Sequence, residues 1–136
     1  MIITVLANVD VDDLGRGIDF YCRAFGLRIG RRFGTTGVEL LGATFPIYLL
    51  EKPAGSAASM ASDQRRDYSR HWTPVHLDFV VENIDAAIER ATAAGALLEG
   101  DVHTDKWGRI AVMADPFGHG FCLIEFLGRG YDEIAN

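Results

Sequence analysis

An α+β fold built as two tandem βαβββ modules is expected from this 136-residue chain. Three features point there. The order strand, helix, then three short strands occurs twice. The helical stretches are nearly equal in length, with Leu14 to Gly26 separated by 12 residues and Ile84 to Gly95 by 11. A glycine also closes each helix. Two modules of about 55 residues each explain this more simply than ten unrelated elements.

The first module opens with "IITVLANVDV", β-branched and strand-like. "DDLGRGIDFYCRAFGL" follows. There Asp12 or Asp13 offers an N-cap, and Leu14, Ile18, Tyr21, Cys22 and Phe25 recur at helical spacing. Gly26 stands where a helix end favours positive φ. Three strands are expected next, "LRIGRRF", "GVELLG" and "FPIYLLE", with glycines between them as hairpin turns require. In the second module "PVHLDFVV" alternates as a strand, and "ENIDAAIERATAAGA" carries Ile84, Ile88 and Ala91 or Thr92 on one helical face. "LLEGDVHTD", "WGRIAVMAD" and "GFCLIEF" supply three more strands. The expected bounds are 1–52 and 73–128 for the modules, with a linker at 53–72 and a tail at 129–136. That linker is rich in Ala, Ser, Asp and Arg, and a connection so long is mobile or functional, for instance a flap.

Composition narrows the function classes. The hydrophobic share is 49% and the charged share 24%, as in globular domains. A net charge of −6 argues against nucleic-acid partners, which call for a basic face. No stretch reaches the roughly 18 apolar residues of a membrane span. Met1 leads directly into a run too short for a signal peptide, so a cytoplasmic location is expected. Cys22 and Cys122, in apolar contexts, read as small buried thiols and not as a disulfide.

The duplicated unit, "DLGRGIDFYCRAFGL", "VHLDFVVENIDAAIERATAAGA" and the closing "DPFGHGFCLI" together resemble the vicinal oxygen chelate superfamily. That group holds glyoxalase I, bleomycin-resistance proteins and extradiol dioxygenases. The resemblance covers nearly the whole chain as a single glyoxalase/bleomycin-resistance-like domain, 1–136. It implies that the two modules curl their sheets into a cup around one cavity, with helices outside, and that the chain forms a homodimer. Metal-dependent members place four ligands, usually His or Glu, on the first and last strands of each module. Matched motif to motif, those positions fall on Leu6, Tyr48, His76 and Cys122. Leu6 carries no donor atom. A phenol, which ionises near pH 10 in water, is a poor ligand. A catalytic metal site normally has at least three protein ligands, so no metal cofactor is expected. If a divalent metal is present, His76 and Glu125 are the candidate ligands.

Strand alternation sorts the remaining candidates. Cys122 and Ile124 share the cup face, while Phe121, Leu123 and Glu125 point to the helix side. A one-residue slip would bring Glu125 into the cup together with two large apolar side chains. His76 is the candidate general base or ligand contact, with Asp78 on the same face to orient it or to bind a cation. Asn8 and Asp10 share the face of Leu6. Tyr48, Trp107 and Phe117 lie at or near cup positions and suit a flat organic ligand. Expected ligand contacts are therefore Asn8, Tyr48, His76, Asp78, Trp107 and Cys122. "GRR" at Gly30–Arg32 and "DQRR" at Asp63–Arg66 form either a patch for anions or ordinary solvated surface. His71 and Trp72 read as a staple at the start of the second module, and His103 and His119 as loop residues.

The expected function is binding of a small organic, drug-like or aromatic molecule, by sequestration without metal chemistry. The alternative is an enzyme, a glyoxalase-like lyase, dioxygenase or isomerase acting on vicinal oxygens.

Overall fold

Asp13, in an extended conformation, accepts a hydrogen bond from the Arg16 N–H at 3.0 Å and so starts α1 (Leu14–Phe25). Asn83 starts α2 (Ile84–Ala94) in the same way, through the Ala86 N–H at 3.0 Å. Gly26 ends α1 at a φ of 66°. The computed structural model describes residues 1–136. They fall into two units, Met1–Ser69 and Arg70–Asn136.

The first unit has β1 (Ala7–Val11), β2 (Arg28–Phe33), β3 (Gly37–Leu41) and β4 (Ile47–Glu51), in the order β1-β4-β3-β2. The second has β5 (Asp78–Val80), β6 (Leu97–Leu98), β7 (His103–Asp105), β8 (Gly108–Ala114) and β9 (Gly120–Phe126). Its order is β5-β9-β8-β6, with β7 also paired to β8. In both sheets the first strand runs parallel to the last and the other pairs are antiparallel. This is the α+β, two-module βαβββ architecture expected from the repeat. The helix side of each sheet is buried. Val11, Val38, Leu40, Ile47 and Leu49 are fully enclosed with Phe20 of α1 in the first unit; Ala111, Met113 and Leu123 are enclosed with Ile84 and Ala91 of α2 in the second.

The repeat extends to single hydrogen bonds. Glu51, ending β4, accepts the Leu14 N–H at 2.8 Å; Glu125, near the end of β9, accepts the Ile84 N–H at 2.9 Å. Each glutamate thereby satisfies the first open backbone donor of its helix. The alternation read in β9 holds: Leu123 and Glu125 lie on the helix side.

Three strands differ from expectation. The strand expected from Ile2 begins only at Ala7, and Met1 to Ile3 are largely exposed. Ala7 pairs with Ile47, so Leu6 would face Pro46, which has no N–H to continue the ladder. "PVHLDFVV" yields a ladder only over Asp78–Val80, opposite Cys122–Ile124, extended by a bond from the Cys122 N–H to the Leu77 carbonyl. By the same register β9 starts at Gly120, level with His76, so Pro74 and Val75 have no strand residue opposite them. "LLEGDVHTD" splits into β6 and β7 around Gly100, whose φ of 78° breaks the extended run.

Residues 53–69 belong with the first unit and are ordered by hydrogen bonds. Ala57 bridges Arg65, the Gly55 N–H donates to the Arg66 carbonyl, the Arg66 N–H donates to the Ser56 carbonyl, and the Tyr68 hydroxyl donates to the Lys52 carbonyl. Arg66 holds this turn to β1 through an ion pair with Asp10 at 2.7 Å and bonds to Ser56 and the Ala57 carbonyl. The tail contains a short 3-10 turn, Gly130–Glu133. Both cysteines are free thiols. No helix is long and apolar enough to cross a membrane.

Candidate functional site

In the second unit the parallel register sets Asp78 directly beside Cys122. His76, two residues earlier on the same face, reaches Asp78 with its Nε2 at 3.1 Å. The donor atoms of His76, Asp78 and Cys122 lie within 4.8 Å of one another. Cys122 is 3% exposed. Burial first, and then the adjacent Asp78 carboxylate, push its thiol up to about 11. The sulfur therefore keeps its proton near neutrality and is a weak nucleophile there. Asp78 contacts both neighbours, its carboxylate 3.1 Å from His76 Nε2 and hydrogen-bonded to the Cys122 thiol.

Trp72 completes this group, a role missed in reading it as a staple. Its ring lies 4.8 Å from that of His76. It also rests on Gly120, where an added Cβ would come within 1.8 Å of the indole. Glycine at 120 is thus what admits the aromatic wall beside His76 and Cys122. Nearby, His71 and His119 share a hydrogen bond at 2.9 Å, so neither is an isolated loop residue.

In the first unit a polar row crosses the sheet face away from α1. Asn8, Tyr48 and Glu39 are register partners on β1, β4 and β3. On β2 the register shifts between Ile29 and Arg32, so Gly30 and Arg31 both stand opposite Glu39. This bulge returns Arg31 to the row. Its side chain contacts the Glu39 carboxylate at 3.1 and 2.7 Å, and its backbone N–H donates to the same carboxylate at 3.0 Å. The Tyr48 hydroxyl donates to Glu39 at 2.9 Å and accepts from Arg31 at 3.1 Å. Glu39, a buried carboxylate, was not singled out in the sequence. Only the pairing of β3 with β4 reveals it.

The Arg31 side chain, then its backbone N–H, then the Tyr48 hydroxyl hold Glu39 down to about 2 from an ordinary 4.5. A folded pKa below the unfolded one gives stability that is complete above 4.5 and is lost as pH falls towards 2. Urea unfolding across that window is expected to show this loss. Glu39→Gln should flatten the slope, and an unchanged slope would show that another carboxylate governs acid unfolding.

The remaining candidates lie elsewhere. Leu6 precedes β1 and is half exposed. Trp107 leads into β8 and stacks on Tyr131 at 5.0 Å and near Phe126 at 6.3 Å, four residues along β9 from Cys122. Phe117, expected near a cup position, is instead 1% exposed and forms part of the core. Its N–H donates to Asp115, which also accepts from the His119 N–H. Glu125 is committed to α2, and the carboxylate grouped with His76 is that of Asp78. Of the two basic stretches, Arg31 lies in the polar row and Arg66 pairs with Asp10.

The donors decide how far a metal of the superfamily type fits. Of its four positions, Leu6 offers no donor and Tyr48 is engaged with Glu39 and Arg31. The four-ligand set does not fit. Only a different trio, His76, Asp78 and Cys122, could present three donor atoms to a divalent ion.

The family model for a glyoxalase-like domain matches residues 7–124. An uncharacterized protein of Mycobacterium bovis is 33% identical over 117 residues, covering 83% of this chain and 76% of its own. The anthracycline biosynthesis protein DnrV of Streptomyces peucetius is 30% identical over 126 residues, 91% of this chain but 41% of that protein. Among solved structures, the fosfomycin resistance protein FosX of Listeria monocytogenes superposes with a TM-score of 0.70 at 20% identity, covering 92% and 94% of the two chains.

Proposed function

Because this chain belongs to the glyoxalase-like domain family, within the vicinal oxygen chelate superfamily, we propose that it binds a small organic molecule without the superfamily's four-ligand metal site. The ligand is drug-like or aromatic and is sequestered, not turned over. The observation that carries this reading is the occupancy of the four ligand positions by Leu6, Tyr48, His76 and Cys122. What those positions offer instead is, in the first unit, a phenol beside Asn8 and, in the second, an imidazole and a protonated thiol beside Asp78 and Trp72. Such groups suit stacking and directional hydrogen bonding to a flat molecule. The names of two similar proteins, one for fosfomycin resistance and one for anthracycline biosynthesis, also refer to small organic molecules. A homodimer in the cytoplasm goes with this proposal.

One observation favours the alternative, a metal-assisted lyase or dioxygenase: the proximity of His76, Asp78 and Cys122. Elemental analysis of the purified protein separates the two. The binding reading expects far less than one divalent metal per chain. A metal near one per chain, lost in His76→Ala, would promote the enzyme.

A thermal-melting screen of aromatic compounds tests binding itself. A compound at 100 times its Kd stabilises the fold by about 2.7 kcal/mol. Tyr48→Ala is expected to abolish the shift and Glu125→Gln to leave it intact. The reverse pattern would overturn the assignment of faces.

A further inference from the structure

The structure assigns to the first unit a fixed guanidinium subsite, Arg31 beside Phe33 and Tyr48, and we infer that it selects an anionic group carried on an aromatic ring. This deepens the proposed function and rests on it.

Three features make the arrangement a built one. First, Gly30 is required by it: a Cβ there would lie 2.6 Å from a Glu39 oxygen, so the carboxylate reaches β2 only past a glycine. Second, the pair is asymmetric. The Glu39 side chain is 9% exposed while that of Arg31 is 68% exposed. The acid is buried under four hydrogen bonds, and the base it holds is turned to the open face. Third, the fold does not need this network. In the second unit Val112 stands opposite Cys122 as Glu39 stands opposite Tyr48, and that sheet forms with a plain aliphatic at the position. Replacing a buried ion pair by apolar residues is often neutral or stabilising, so stability alone does not explain Glu39.

What the network does is aim Arg31. Nε and Nη2 are used on Glu39 and Tyr48, which leaves Nη1 and the outer edge of the fork towards the open face. The guanidinium carbon lies 5.7 Å from the Phe33 ring centre, and Phe33 and Tyr48 lie 5.9 Å apart at 35°. Two tilted rings in contact and a held cation beside them offer an exposed surface for a flat ring with a carboxylate or sulfonate at its edge. The net charge of −6 repels anions at long range, so selection here is local and acts through the direct bond.

The test titrates three naphthalene probes of one shape, 2-naphthoate, 2-naphthamide and 2-naphthylmethylamine, into the full chain by calorimetry. Naphthoate is expected to bind about tenfold tighter than the amide, and the amine more weakly than either. Arg31→Gln should erase the preference while leaving amide binding, and melting of the variant checks that it is folded. In the unmodified protein, the Arg31 side-chain N–H resonance should shift with naphthoate and not with the amine. Equal binding of all three, or a preference that survives Arg31→Gln, overturns this inference and leaves the proposed function standing. Binding of none overturns both.

Discussion

Phe117→Ala is expected to destabilise the fold by about 3–5 kcal/mol, the cost of emptying a large buried aromatic site. Phe117 is 1% exposed. Its backbone is fixed by Asp115, and the adjoining Pro116 packs against Gly95 at the end of α2, leaving the site little freedom to collapse. Urea unfolding should show a lower midpoint with an unchanged slope. Binding of any aromatic ligand by the remaining folded protein should be unaffected, because the ring lies in the core. A loss of binding with stability nearly intact would instead return Phe117 to the ligand face, where the sequence alone had put it.

Gly120→Ala is expected to be the most disruptive change at the site itself. The new Cβ would fall 1.8 and 2.1 Å from two atoms of the Trp72 ring. Either the indole leaves or the start of β9 shifts, at about 1–3 kcal/mol for an overpacked position. Displacing Trp72 removes the aromatic wall beside His76. Tryptophan emission, read in a Trp107→Phe background so that Trp72 alone reports, should therefore change. Ligand-induced stabilisation should fall with it. Unaltered emission would mean that Trp72 does not rest on Gly120.

Much of the fold is written locally. Asp13 and Asn83 cap helices whose apolar spacing and terminal glycines are visible in single stretches, so both helices were legible. Strand phase was legible too: counting by twos from Cys122 separates it from Glu125 without knowledge of any partner. Strand ends were not, because they depend on what lies opposite. Pro46, beside the neighbouring strand, shortens β1, and the φ of 78° at Gly100 splits β6 from β7. The site divides in the same way. His76, Asp78 and Cys122 follow from alternation within two strands. Trp72 meets Gly120 across 48 residues, and Arg31 joins Glu39 through a bulge that strict alternation does not anticipate. Alternation puts Glu125 on the helix side, but nothing in its own strand says that the Ile84 N–H needs an acceptor.

The central claim is that this member of the family recognises an organic molecule with its own side chains and not through a metal. Calorimetry of a screened aromatic ligand tests it most directly, using protein stripped with chelator and the same protein with added Zn²⁺. The account predicts equal affinity in the two samples, and loss of that affinity in Tyr48→Ala. Binding seen only in the Zn²⁺ sample, and abolished in His76→Ala, would contradict it.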